Sequence, residues 1–185
     1  MDNNSQFLNN ISSQLNFNCS VHVENLINSN DTVFSKCKIR QCGLCCVFNP
    51  VCDCTSTTTN RLYQAKVPEG IGIVDCNSYN CIYLITCSVC NLQYVGETAQ
   101  RVKDRFKNHR KGMKNPNKDN TSTILYKHFN SVLCKNATYN VQVIEVLNGN
   151  GRDIKNNVDP EVTTIRREKE TDWMLKLRTV YPYGL

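Results

Sequence analysis

Tyr83 and Tyr94 flank a Cys-x-x-Cys pair, Cys87 and Cys90, in the stretch "CIYLITCSVCNLQYVGET", and Arg105 and His109 follow shortly after. A Cys-x-x-Cys turn is a half-site for tetrahedral zinc, because one tight turn presents two thiolates to a single ion. The other half is expected in "KHFNSVLC", where His128 and Cys134 have an H-x5-C spacing slightly wider than usual. His109 is a rival fourth ligand, and a pair of free buried thiols is the plain alternative. Such a site would be structural, with all four positions closed to water, and would tie a hairpin tip to the helix that carries His128. A second thiol cluster, "CKIRQCGLCCVFNPVCDC" at 37–54, holds half of the chain's 12 cysteines. Cys42, Cys45, Cys52 and Cys54 form a candidate second zinc set, with Cys37, Cys46 and Cys76 as alternatives. A knuckle touching nucleic acid and a purely structural knot both fit that cluster.

Arg105 and His109 lie four apart, so on a helix they share one face, with Arg101 on the same line. A fixed Arg–His face could clamp a phosphate and stabilise its developing charge. The ordinary alternative is a solvated basic face. Tyr83 and Tyr94, if on paired strands, can point to one side of a sheet. As plain strand residues they would need no further explanation. Phosphodiester hydrolysis asks for an activated water, charge stabilisation at the phosphate and help for the leaving oxygen. A free phenol has a pKa near ~10, so a tyrosine acting as base needs positive charge beside it, which Arg105 could provide.

The elements that must position these groups can be read from periodicity. "CIYLITC" is rich in β-branched and aromatic residues and reads as a strand, "SVCN" as a turn and "LQYVGE" as a second strand. Thr98 is placed to cap the helix "AQRVKDRFKNHRKGM", whose buried stripe is Val102 and Phe106. A Lys/Asn/Pro loop follows, in which Lys111, Lys114 and Lys118 could meet backbone phosphates without reading sequence. "STILYKHFNSV" reads as a helix, "YNVQVIEVL" as a strand, and "PEVTTIRREKETDWMLKLRTV" as a helix with Pro160 near its start. The order β-β-α-α-β-α predicts an α+β fold: a small three-stranded antiparallel sheet flanked by helices, with a Cys-rich, zinc-binding N-terminal segment. Three regions are expected: a polar Asn-rich extension at 1–36, a Cys-rich linker at 37–75 containing the loop "TSTTTN", and the main domain at 76–185. Within the first, Phe7, Ile11 and Leu15 recur every four residues and suggest a short amphipathic helix.

The net charge is +6, from 22 Lys and Arg against 16 Asp and Glu, which suits a polyanionic partner without requiring one. No cationic start followed by an apolar run marks a secretory signal, and no stretch has the roughly 18 apolar residues of a membrane span. The expectation is a soluble intracellular protein with no membrane partner, whose cysteines serve metals rather than disulfides. A secreted disulfide scaffold is the competing reading. The N-x-S/T triplets carry no weight in so Asn-rich a chain.

Together, Ile82-Tyr83, Tyr94-Val95-Gly96, Thr98, Arg105, His109 and the glutamate of "ETDW", Glu170, resemble the signature of GIY-YIG endonucleases over roughly residues 76–185. Cys81 stands where the signature has its first glycine. Cysteines between the two tyrosine motifs and the closing "E-x-x-W-x-x-x-L-x-T-x-x-P-x-GL" are similar to the endonuclease domain of Penelope-like retroelements, in which that glycine is often replaced. The resemblance implies that Tyr83 is the general base, that Tyr94 positions water or phosphate, and that Arg105 and His109 belong to the catalytic helix. It also makes Glu170 the ligand of one Mg²⁺ or Mn²⁺, a hard ion that needs few protein carboxylates. Glu168 and Asp172 compete with Glu170 and read more naturally as exposed charges. In this family the second half of the zinc site is usually histidines, so Cys134 would replace one. The implied function is a divalent-metal-dependent DNA endonuclease that nicks one strand and so primes reverse transcription. Its partners would be DNA and the reverse transcriptase and RNA of the parent element, and its place would be the nucleus. A non-catalytic zinc-dependent nucleic-acid-binding module is the alternative.

Overall fold

The computed structural model describes residues 32–114, 124–147 and 160–185. The expected helix through Phe7, Ile11 and Leu15, and Lys118, lie outside the described residues. Strand β5 (Cys81–Cys87) is buried at every position except Thr86, so it is covered on both faces and must be central. It pairs antiparallel with β6 (Gln93–Thr98) on one side and β7 (Tyr139–Val146) on the other, giving the order β6-β5-β7. This is the three-stranded antiparallel sheet that the sequence predicts. On the β7 side the register slips between Ile82 and Tyr83, so Ile144 is an extra residue. That bulge turns both Ile144 and Glu145 toward the same face, where they meet the last helix.

Helix α1 (Val102–Lys114) buries Val102, Phe106 and His109, positions that share one stripe, against the face formed by Tyr83, Ile85, Val141 and Val143. Helix α2 (Ile124–Phe129) adds Leu125 and Phe129 to the same core. Helix α3 (Pro160–Leu177) covers the opposite face, packing Trp173 and Leu177 on Ile82, Leu84 and Val95. Thr98 does not cap α1. Its Oγ1 accepts the Gln100 N–H at 3.0 Å, inside the preceding turn. The first helical N–H groups are instead satisfied by main-chain carbonyls of the preceding loop, Val102 by Ser78 at 3.0 Å and Lys103 by Cys76 at 2.9 Å.

Upstream of the sheet, β1 (Val33–Phe34) pairs in parallel with β4 (Ile73–Val74), and β2 (Asp53–Thr55) with β3 (Leu62–Gln64) forms a hairpin around the "TSTTTN" turn. This segment closes the outer edge of β7 through bridges from Phe48 to Val141 and Lys66 to Glu145. Ser56 Oγ donates to the Leu177 carbonyl at 2.7 Å, satisfying one of the last carbonyls of α3. Among the described residues no helix is long and apolar enough to cross a membrane.

Candidate active site

Tyr83 lies opposite Gly96 in the β5–β6 register, and Tyr94 is two residues from Gly96, so both rings project from one face of the sheet. A Cβ at Gly96 would sit 2.5 Å from Tyr83 Oη and 2.8 Å from Tyr94 Cε1. The glycine is therefore a steric requirement of the tyrosine pair. Arg105 and His109 reach the same place from α1. Arg105 Nε donates to Tyr83 Oη at 3.2 Å, and Tyr83 Oη lies 2.6 Å from His109 Nε2. Because Arg105 can only donate, the Tyr83 oxygen accepts there, and its single hydrogen is free to point at His109 Nε2. His109 then carries its own hydrogen on Nδ1, facing Tyr126 Oη at 3.3 Å.

Burial sets the electrostatics. Tyr83 and His109 are both 0% exposed. Burial, and next the neighbouring Tyr94, push the Tyr83 phenol above its ordinary range, while Arg105 pulls the other way. Burial, assisted by Arg105, pulls His109 down to about 3, so it is a neutral imidazole at any pH near neutrality. Tyr94 is pushed up to about 12 by burial and by Glu170. Arg105 loses by desolvation but gains from Tyr83 and Tyr94, and remains a firm cation.

Glu170 arrives from α3. Trp173 and Leu177, three and seven residues on, are buried, so one side of the helix is fixed and Glu170 reaches the free edge of β6. There its carboxylate lies beside Glu97 and within electrostatic reach of Tyr83, Tyr94 and Arg105. Its pKa is raised by burial first and then by the Glu97 carboxylate. A half-buried carboxylate whose pKa is raised by burial, near tyrosine oxygens and partly open to water, fits a hard divalent ion that keeps several of its own waters. Glu168 and Asp172 are exposed.

Residues 79–145 match the GIY-YIG catalytic domain. That is a nuclease family, and DNA is the substrate it implies. No curated protein and no solved structure gives a significant match. The GIY-YIG match covers a little over a third of the chain and includes Tyr83, Tyr94, Arg105 and His109, whereas Glu170 lies beyond it. Around the matched segment the structure adds residues that sequence reasoning missed. Tyr126 of α2 closes the far side of His109, its ring packed where Gly112 of α1 leaves room. Arg166, buried on α3, forms an ion pair with Glu97 and donates to Asn80 Oδ1 at 3.3 Å. Spacing alone gives no signal for either, since both depend on which helix crosses which strand. Arg101 is turned away, paired with Asp104 at 2.5 Å. Lys111 and Lys114 are exposed in the last turn of α1. Cys81, in the signature-glycine position, is buried and donates to the Tyr79 carbonyl at 3.0 Å.

Among the described residues, two groups of ligands could hold a metal such as zinc. Cys87, Cys90, His128 and Cys134 have ligand atoms all within 4.8 Å of one another. Cys87 and Cys90 each lie 3.9 Å from Cys134, and Cys90 Sγ is 3.5 Å from His128 Nε2. A tetrahedron with metal–sulfur bonds of about 2.3 Å has edges of about 3.8 Å, and slightly shorter ones to nitrogen, so these distances suit one ion. His109, the rival ligand, is engaged by Tyr83. The second group differs from the expected set: Cys42 and Cys45 gather with Cys37 and Cys76, not with Cys52 and Cys54. The physical reason is the β2–β3 hairpin, which carries Cys54 to the opposite core beside Trp173 and Leu84. Cys46 is exposed and outside both groups.

Proposed function

We propose that this chain is a divalent-metal-dependent DNA endonuclease that nicks one strand by phosphodiester hydrolysis. We read it as the endonuclease module of a Penelope-like retroelement, where the nick would prime reverse transcription. The observation that carries the reading is the Tyr83 oxygen held between a guanidinium that only donates and a neutral imidazole that can accept. In this arrangement no free phenolate is needed. Tyr83 Oη takes a proton from the attacking water as it passes its own to His109 Nε2. The phosphodiester's negative charge offsets Arg105, which otherwise depresses the basicity of His109. The water oxygen bonds to phosphorus, the P–O3′ bond breaks, and the 3′ oxygen leaves with a proton from solvent. Arg105 faces the charge developing on the phosphate, and Tyr94 and Glu170 frame its approach. A divalent ion held by Glu170 would supply further positive charge there. Zinc at Cys87, Cys90, His128 and Cys134 would act structurally, fixing the β5–β6 turn against the segment after α2.

A supercoiled-plasmid nicking assay in Mg²⁺ and in Mn²⁺, with zinc-loaded protein, tests the reading. Wild type should nick, and Glu170→Ala and Tyr83→Phe should not. Nicking by all three would place the activity elsewhere. Absence of nicking in a folded, zinc-loaded wild type that still binds DNA would favour the non-catalytic binding module.

A further inference from the structure

The geometry points to a second, mononuclear zinc site made by Cys37, Cys42, Cys45 and Cys76, which holds helix α1 and with it Arg105 and His109. The four sulfurs lie within 4.8 Å of one another, with Cys37–Cys45 at 3.4 Å and Cys45–Cys76 at 3.5 Å. These separations are far too long for a disulfide, about 2.05 Å, and close to the tetrahedral edge of about 3.8 Å for sulfur around zinc. Cysteine density does not explain the grouping, because Cys46, next in sequence to Cys45, faces solvent instead. Cys42 and Cys45 are joined by a tight turn, the Cys45 N–H donating to the Cys42 carbonyl at 3.2 Å, as a metal knuckle requires. The Cys-x4-Cys-x2-Cys…Cys order is also that of plant-type [2Fe–2S] sites. Four sulfurs drawn this close surround one ion, however, and leave no room for two irons bridged by sulfide.

The same cluster is fastened to α1 at two points. The Cys76 carbonyl accepts the Lys103 N–H at 2.9 Å in the first turn, and the Gly43 carbonyl accepts Arg110 Nη1 at 2.9 Å two turns later. A Cβ on Gly43 would lie 2.4 Å from that guanidinium, so the Cys42–Cys45 knuckle fits directly against the helix. Arg105 and His109 lie between the two fastenings. The metal site stands whether or not the chain cleaves DNA. Only the consequence for Arg105 and His109 rests on the nuclease reading.

The test is metal content of the full chain, read without DNA. Wild type and Cys46→Ser should each carry two zinc ions, and Cys42→Ser one. Cobalt-substituted wild type should show a four-thiolate spectrum alongside a three-thiolate one, and Cys42→Ser should lack the former. A wild type with one zinc, a Cys42→Ser variant retaining two, or an iron–sulfur chromophore in protein as isolated would overturn the site. If Cys42→Ser does not fold, the cobalt spectrum of wild type decides alone. The fastening to α1 is read by hydrogen exchange of the Lys103 amide, which should quicken on loss of this one ion. Unchanged exchange in a one-zinc Cys42→Ser protein would overturn the positioning role. If nicking fails in wild type while two zinc ions are present, the nuclease reading falls and the site remains.

Discussion

At Tyr83 the proposed mechanism sets two demands against each other: burial disfavours its phenolate, yet hydrolysis would ask its oxygen for a proton-accepting step. The neutral His109 beside it reconciles them, because a tyrosine that relays a proton never has to hold a full charge. Removing the hydroxyl in Tyr83→Phe should lower the nicking rate by about 10²–10⁴, the usual weight of general-base catalysis, and cost about 1–3 kcal/mol of stability, since buried His109 loses its partner. Gly96→Ala should cost about 1–3 kcal/mol by overpacking and abolish nicking as well, since the new methyl meets both tyrosine rings. His109 also leaves a signature in stability. Its folded pKa, about 3, lies below the ordinary value of 6.5. Between those values the unfolded chain binds a proton that the folded chain refuses. Stability from this group is therefore complete above pH 6.5 and falls as the pH drops, by up to about 1.4 kcal/mol per pH unit. Urea midpoints at pH 7, 6 and 5 should show this slope in wild type and a slope smaller by one proton in His109→Gln. Tyr83, Tyr94, Arg105, His109 and Glu170 were picked out through the resemblance to the GIY-YIG signature, and the structure joins Tyr83, Arg105 and His109 by hydrogen bonds. Tyr126 and Arg166 were not legible, since their partners are reached across helices and no spacing records that.

Helix α3 is placed by its indole. Trp173 Nε1 donates to Glu145 Oε2 at 2.6 Å, and both residues are buried, with Tyr63 edge-on to the indole. Trp173→Phe keeps most of the apolar volume but leaves the Glu145 carboxylate without its donor. We expect a loss of about 1–3 kcal/mol in chemical denaturation. Glu145→Gln in the Trp173→Phe background should recover part of it. Strands β5, β6 and β7 were legible from β-branched and aromatic runs of six to eight residues, and α3 from its length. The pairs β1–β4 and β2–β3 were not, because strands of two or three residues are too short to show a period. The bulge at Ile144 was equally silent. The expected alternation of "YNVQVIEVL" describes its first half, and the register slip then sends two successive residues to α3.

Across the whole molecule, the two thiolate groups join parts of the chain that local contacts do not. One links Cys37 to Cys76, and the other links the β5–β6 turn to the residues after α2. A Cys-x-x-Cys pair announces half of each site, whereas the partner across some thirty or forty residues depends on the fold. This is why Cys76 was one alternative among several in the sequence, whereas Cys87, Cys90, His128 and Cys134 could be grouped there and lie together in the structure. Ions at such sites contribute directly to folding free energy. Treatment with a strong chelator should therefore lower the melting temperature and broaden the transition, and added zinc should restore both. The burial of Tyr83 and His109 has a separate bearing on what the site can cleave. Tyr94, Arg105, Tyr126 and Glu170 reach the surface whereas Tyr83 and His109 do not, so on the proposed reading a substrate must draw the Tyr83 oxygen into reach with binding energy from contacts elsewhere. A small activated diester such as bis(p-nitrophenyl) phosphate offers no such contacts. It should turn over far more slowly than plasmid DNA even at saturation, which a direct comparison of kcat would reveal.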